Sequence, residues 1–182
     1  MNSTTVTGAS TLPSEWAPAI ETSADCGCGL TRRLRFGAER PVCPQCDYTH
    51  FFDPKVAAAM WVEQNDRVLL VRRAATPARG RWTAPGGFVN AWEDPAEAAA
   101  RECAEETGLT VSASDLLELV PGREHPGGAG FIIFYRGEIT AGELQAGDDA
   151  DAVDWFGPDE LPEIAFHATG VMIARWQAGH FT

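Results

Sequence analysis

Five glutamates, Glu93, Glu97, Glu102, Glu105 and Glu106, crowd the 23 residues from Gly87 to Leu109. Glu102, Glu105 and Glu106 stand at i, i+3 and i+4, the spacing that brings side chains to one face of a helix. Like charges so placed repel, and a helix built only for stability has no use for them. A cation among them removes the conflict, and hard carboxylate oxygens favour Mg²⁺ or Mn²⁺. The alternative is a solvated acidic face, the usual meaning of a charge run. The run is preceded, however, by Trp82-Thr83-Ala84-Pro85-Gly86-Gly87. Two glycines after a proline let the backbone turn sharply and carry its carbonyls or amides close to a ligand.

The element that must position these acids is a helix. Asp94 is a good N-cap, Pro95 suits the first helical position, and Glu97 three residues on resembles a capping box. Ala96, Ala99, Ala100, Cys103 and Thr107 form a stripe of small residues able to pack on a sheet. Gly108 fits the left-handed residue that ends a helix. Arg101 reaches Glu105 at i+4 and is placed to reach Glu93 across the preceding loop.

The order Gly87, five residues, Glu93, seven residues, Arg101-Glu102-Cys103-Ala104-Glu105-Glu106-Thr107-Gly108-Leu109 resembles the signature of the Nudix hydrolases, with no position missing. The likeness extends from about Asp53 to Phe166 and includes the Trp155–Pro162 segment, W-F-x-x-D-E-L-P. It implies an α/β/α sandwich with a mixed sheet, binding of divalent cations that bridge a diphosphate, and addition of water at phosphorus. By the same resemblance Glu102, Glu105 and Glu106 are metal ligands together with the Gly86 carbonyl. Glu93 and Arg101 brace the helix. Glu102 or Glu105 is the expected base. In some relatives the base comes from a downstream loop, for which Asp148-Asp149-Ala150-Asp151 is the local candidate, although its plainer meaning is a solvated loop.

Four of the five cysteines cluster as Cys26-Gly-Cys28 and Cys43-Pro-Gln-Cys46. Two close pairs with glycines and arginines between them look like the knuckles of a zinc ribbon, so Cys26, Cys28, Cys43 and Cys46 are candidate ligands of a structural Zn²⁺. Cys26-x-Cys28 is one residue shorter than the usual spacing. Either the first knuckle is unusually tight, or one of its cysteines does not bind. His50 is close enough to substitute, but a lone histidine is more often structural. No internal repeat is read along the chain. A ribbon ahead of such a domain resembles the NADH pyrophosphatases and a wider group of ADP-ribose-type pyrophosphatases. The S-Q-P-W-P-F-P-x-S element of the former has no counterpart here. Pro126 stands 17 residues beyond Leu109, near the place where many ADP-ribose hydrolases carry a proline.

With 182 residues, 45% of them hydrophobic, the chain has material for one catalytic domain and a small appendage. The expected division is a tail over residues 1–22, a ribbon-like segment over 23–52 and a catalytic α/β domain over 53–182. Apolar and turn residues place strands at Val56–Glu63, Arg67–Arg72, Leu116–Val120, Phe131–Ile139 and Asp151–Phe156. A closing helix is expected at His167–Ala178. A net charge of −12 argues against long nucleic acid. From Gly137 to Ala174 there are nine acids and no Lys or Arg, so an anionic substrate needs metal ions and the upstream arginines. Of these, Arg73 and Arg81, with Gly87, are the expected substrate contacts, although each arginine alone also reads as a solvated strand end or loop. Trp92, Tyr135 and Phe166 are candidates to stack on a base, or simply core and rim.

No apolar run is long enough to span a membrane, and no signal peptide is evident, which leads to a cytoplasmic protein. The expected partner is a small-molecule nucleotide. A homodimer follows only from the resemblance. The functional expectation is Mg²⁺-dependent hydrolysis of a nucleoside diphosphate linked to another group, ADP-ribose first. The alternatives are an NADH or NAD⁺ pyrophosphatase and a non-catalytic nucleotide sensor. A sensor would be expected to have lost a metal glutamate or gained a DNA-binding domain, and neither is seen.

Overall fold

A computed structural model of the protein describes residues 20–122, 124 and 127–181. Most of the expected tail, and Pro126, lie outside them. The chain divides into two compact units, Met1–Asp53 and Pro54–Thr182.

In the first unit, β1 (Thr31–Arg35) and β2 (Ala38–Val42) form an antiparallel hairpin between the two cysteine pairs, with Arg33 opposite Arg40. The left-handed Phe36 and Gly37 make its two-residue turn. Val42 and Cys43 are wholly buried beneath it.

In the second unit, Asn65 and Asp66, both at positive φ, close the expected hairpin between β3 (Val56–Gln64) and β4 (Arg67–Arg73). Beyond the turn the two strands pair for only two registers and then diverge to different neighbours. On one side β3 takes β6 (Gly86–Phe88) antiparallel and β8 (Phe131–Gly142) parallel, and β8 pairs with β7 (Leu109–Pro121). On the other, β4 pairs with β5 (Trp82–Thr83) and β9 (Ala150–Phe156). The seven-stranded sheet is therefore mixed, with order β5-β4-β3-β8-β7 along its main path.

Period-two alternation in the buried strands makes two cores. Ala58, Met60 and Val62 of β3 and Leu69 of β4 pack with Ala98, Ala99 and Cys103 of α1 (Pro95–Thr107). Ala59 and Trp61 of β3 and Val68 and Leu70 of β4 face the other way, toward Ala168, Met172 and Ile173 of α2 (His167–Gln177). The result is the expected α/β/α sandwich with a mixed sheet.

The seventh strand differs from expectation. It begins at Leu109, directly after the helix, and not at Leu116. Three register shifts against β8 break its alternation, and its middle carries Ser112, Ser114 and Asp115, which reads as loop.

Candidate active site

The local sequence puts α1 where it is needed. Asp94 Oδ1 accepts from the Ala96 amide at 2.8 Å, Pro95 opens the helix, and Gly108 closes it at φ +72° with its N–H on the Ala104 carbonyl. Ahead of the helix, β6 lies against β3 so closely that a Cβ on Gly86 would sit 2.4 Å from the Ala58 carbonyl oxygen. A Cβ on Gly87 would sit 2.4 Å from the Glu102 carboxyl carbon. Gly86, pressed against main-chain atoms, therefore requires glycine, whereas at Gly87 a side chain would meet the Glu102 carboxylate and displace it.

Arg101 is the hub of the acidic face. Its Nε donates to Glu93 Oε1 at 2.7 Å and its Nη1 to Glu102 Oε1 at 2.8 Å and Glu105 Oε2 at 3.0 Å. A further donor, Nη2, reaches Glu93 Oε2 at 3.1 Å and the Phe88 carbonyl at 3.3 Å. This arginine, helped by the Asn90 amide, holds the Glu93 carboxyl down at about 2. Glu93 and Arg101 thus join the loop before the helix to the helix itself.

The three remaining acids are not equivalent. Glu105 is 45% exposed at its side chain and Glu102 16%, whereas Glu106 is only 3% exposed as a residue. Glu106 turns to the sheet side, where its Oε2 accepts from the Gly86 amide at 2.8 Å. The shared acidic face read from the sequence is therefore a gradient from water to core. Burial raises the carboxyl pKa of Glu102, against the pull of Arg101, and the charges of Glu105 and Asp148 raise it further. Burial pushes Glu106 to about 9, with Asp149 adding to the rise and only the Gly86 amide opposing it. A carboxyl that must keep its proton at neutral pH marks a place short of positive charge, which a divalent cation supplies. Hard oxygen donors fit Mg²⁺ or Mn²⁺. As they stand the three carboxylates do not close on one point. Arg101 spans Glu102 and Glu105, and among the described residues only Cys26, Cys28 and Cys43 bring three ligand atoms within 4.8 Å of one another.

The loop carrying Asp148 and Asp149 is not merely solvated. The Gln145 and Gly147 amides donate to the Thr107 and Glu106 carbonyls at 2.9 and 3.1 Å, satisfying groups left over at the end of α1. This docking brings Asp149 beside Glu106 and puts its Oδ2 3.8 Å from Arg73 Nη2. Asp151 pairs instead with Arg72, at 2.6 Å.

Next to Gly86 and Gly87 a cleft of about 190 Å³ opens on the α2 side of the sheet. Ala57, Ala59, Ile132 and Phe134 line it, and the Arg73 guanidinium lies over the Phe166 ring, 5.2 Å from its centre. Two buried hydroxyls also face it, Thr83 and Thr169, 2.8 Å apart. Arg73, Gly86, Gly87 and Phe166 are thus brought to one cleft. Arg81 is not in its lining and pairs with Glu163 at 2.9 Å. Trp92 is fully exposed and Tyr135 packs in the α1-side core, so neither lines the cleft. Thr83 and Thr169 give no signal in the sequence, because single threonines carry no periodicity, whereas Asp149 belongs to the acidic loop already singled out there.

In the first unit, Cys26 Sγ lies 3.6 Å from Cys43 Sγ and 3.4 Å from Cys46 Sγ. Crowding by the other thiols, Cys26 first, pushes Cys28 up to about 11. Soft sulfur donors in such a group suit zinc. His50 points elsewhere, with its Nδ1 3.3 Å from the Tyr48 hydroxyl and its ring edge-on to Phe52.

A family model described as the NUDIX domain matches residues 53–176. An ADP-ribose pyrophosphatase of Methanocaldococcus jannaschii is 35% identical over 136 residues, covering 72% of this chain and 80% of that protein. An NAD-capped RNA hydrolase of Pseudomonas aeruginosa is 29% identical over 170 residues, 88% of this chain and 58% of its own length. The crystal structure of a Nudix hydrolase from Nitrosomonas europaea superposes with a TM-score of 0.72 at 30% identity, covering 86% of this chain and 90% of that one.

Proposed function

The chain belongs to the Nudix family, and from that premise we propose that it hydrolyses the diphosphate bond of a nucleoside diphosphate joined to a second group, ADP-ribose foremost. The observation that carries this reading is the adjacency of an under-neutralised acidic cluster on α1 and an apolar cleft bordered by Arg73 and Phe166. The first suits the cations of a diphosphate, the second a nucleoside. The choice of ADP-ribose is supported by the Methanocaldococcus relative.

Glu102, Glu105, Glu106 and the Gly86 carbonyl would hold the cation, Mg²⁺ or Mn²⁺. A bound ion would supply positive charge for the diphosphate and a more acidic water. Glu102 or Glu105 takes the proton of the attacking water. The water oxygen bonds to phosphorus, the bridging P–O bond breaks, and two phosphomonoesters leave. Arg101 and Glu93 act as positioning residues, fixing the carboxylates on the helix. Arg73 offers its guanidinium to a phosphate, and Gly87 leaves room for the substrate.

Release of monophosphates from ADP-ribose, NADH, NAD⁺, dinucleoside polyphosphates and nucleoside triphosphates, with and without Mg²⁺, tests the reading. The highest kcat/KM is expected with ADP-ribose, and absence of Mg²⁺-dependent turnover on every substrate overturns the hydrolase assignment. A second reading, NADH or NAD⁺ as substrate, is favoured by the Pseudomonas relative, whose match extends over 88% of this chain. A faster rate on the dinucleotide than on ADP-ribose would select it.

A further inference from the structure

The cysteine-bearing unit contains a repeat of its own backbone. Residues 21–30 and 41–50 match at a constant offset of 20. An isolated bridge joins Thr22 to Gly29, and its counterpart joins Val42 to Thr49. The Ser23 amide donates to the Cys28 carbonyl at 2.8 Å, as Cys43 does to Tyr48 at 2.8 Å. Gly27 donates to the Ser23 carbonyl at 3.0 Å, as Asp47 does to Cys43 at 3.0 Å. Leu30 bonds Glu21 at 2.9 Å, as His50 bonds Pro41 at 2.9 Å. The left-handed residue also recurs, Gly27 at φ +67° and Asp47 at +60°. These are two copies of one turn, which the unlike side chains conceal.

Superposing the copies places Cys26 on Cys46, Ser23 on Cys43 and Cys28 on Tyr48. Ser23 therefore occupies a cysteine position. It is buried like Cys43, 4% against 0% exposed. Its Oγ accepts from the Asp25 amide at 3.2 Å, as Cys43 Sγ accepts from the Gln45 amide at 3.4 Å. The short Cys26-x-Cys28 spacing is thus no tightened knuckle. The first knuckle has the ordinary spacing, Ser23-x₂-Cys26, with its first sulfur replaced by a hydroxyl.

We infer that Cys28, from outside the knuckle, supplies the fourth thiolate of a zinc-type site completed by Cys26, Cys43 and Cys46, while Ser23 is a hydrogen-bond donor to the Cys46 sulfur. Sulfurs 2.3 Å from a tetrahedral ion are about 3.8 Å apart, close to the 3.6 and 3.4 Å separations of Cys26 from Cys43 and Cys46. The Cys26, Cys28 and Cys43 sulfurs lie within 4.8 Å of one another, and Cys46, outside that trio, adjoins it through Cys26. A neutral serine hydroxyl is the weaker donor to zinc beside a thiolate. Ser23 Oγ accepts from the Asp25 amide and lies 3.4 Å from Cys46 Sγ, and toward a thiolate, which has no proton to give, the hydroxyl is the donor.

The inference rests on the ribbon binding a metal, and cobalt in the full chain separates the two. The wild type should take up one Co²⁺ in this unit with the charge-transfer intensity of four thiolates. Cys28→Ser should lose about a quarter of that intensity and bind at least roughly tenfold more weakly. Ser23→Ala should keep the full intensity while weakening binding by about ten- to hundredfold, the scale of outer-shell hydrogen bonds. Ser23→Cys in the Cys28→Ser background should recover four-thiolate intensity, which also guards against misfolding of the single variant. Unchanged intensity in Cys28→Ser overturns the assignment and leaves the metal reading standing. No sulfur-to-cobalt band in the wild type overturns both.

Discussion

Glu105 and Glu106 are neighbours in sequence, but one turns to water and the other to the sheet. Glu105→Gln should lower kcat/KM by roughly 10³-fold, about 4 kcal/mol of transition-state stabilisation, with the thermal midpoint nearly unchanged. Normal turnover in that variant would remove the residue from the site. Glu106→Gln should be as damaging to turnover, yet in the metal-free protein its effect on stability has a definite pH dependence. The folded-state pKa of Glu106 is raised to about 9 by burial, so folding becomes less favourable as pH climbs from the ordinary carboxylate range toward 9. Glutamine mimics the protonated form and lacks this loss. Urea melts in EDTA should therefore show the variant gaining on the wild type between pH 6 and pH 9. Parallel curves would mean that the carboxyl is not desolvated.

The element scale is governed by how α1 begins and ends. Asp94→Ala removes the N-cap and should cost about 1 kcal/mol in denaturant unfolding. At the other end the 143–149 loop closes on the last carbonyls, and a Cβ on Gly147 would sit 2.6 Å from the Glu105 carbonyl oxygen. Gly147→Ala should therefore lift Asp149 away from Glu106 and lower kcat/KM between about ten- and hundredfold, the range expected when a site is displaced by an ångström or less. Retention of full activity would reduce the loop to a simple connection. The helix was legible because its cap, opening proline, small-residue stripe and closing glycine are all local signals. The docked loop was not, because its bonds join residues about 40 apart through main-chain atoms that every residue type shares.

The whole molecule pairs a well-packed catalytic unit with a ribbon whose described residues offer little core beyond Pro41, Val42, Cys43 and Ser23. A segment so small depends on a cross-link of some kind. Removing metal from the thiols should lower the melting temperature of that unit by several degrees, while Mg²⁺-dependent turnover at low temperature changes little. An unaltered melting curve after complete chelation would deny the thiols a structural role. No helix among the described residues is long and apolar enough to cross a membrane.

Residue order alone carried the family signature, the helix with its caps, the hairpin at Asn65–Asp66 and the presence of a sulfur cluster, since each depends on neighbours a few positions apart. Tertiary structure alone decided which glutamate is buried, that Asp149 stands beside it, that Arg73 and not Arg81 borders the cleft, and that Ser23 stands in a cysteine's place. Those outcomes depend on distances between segments remote in sequence, and on a backbone repeat that leaves almost no trace in residue types.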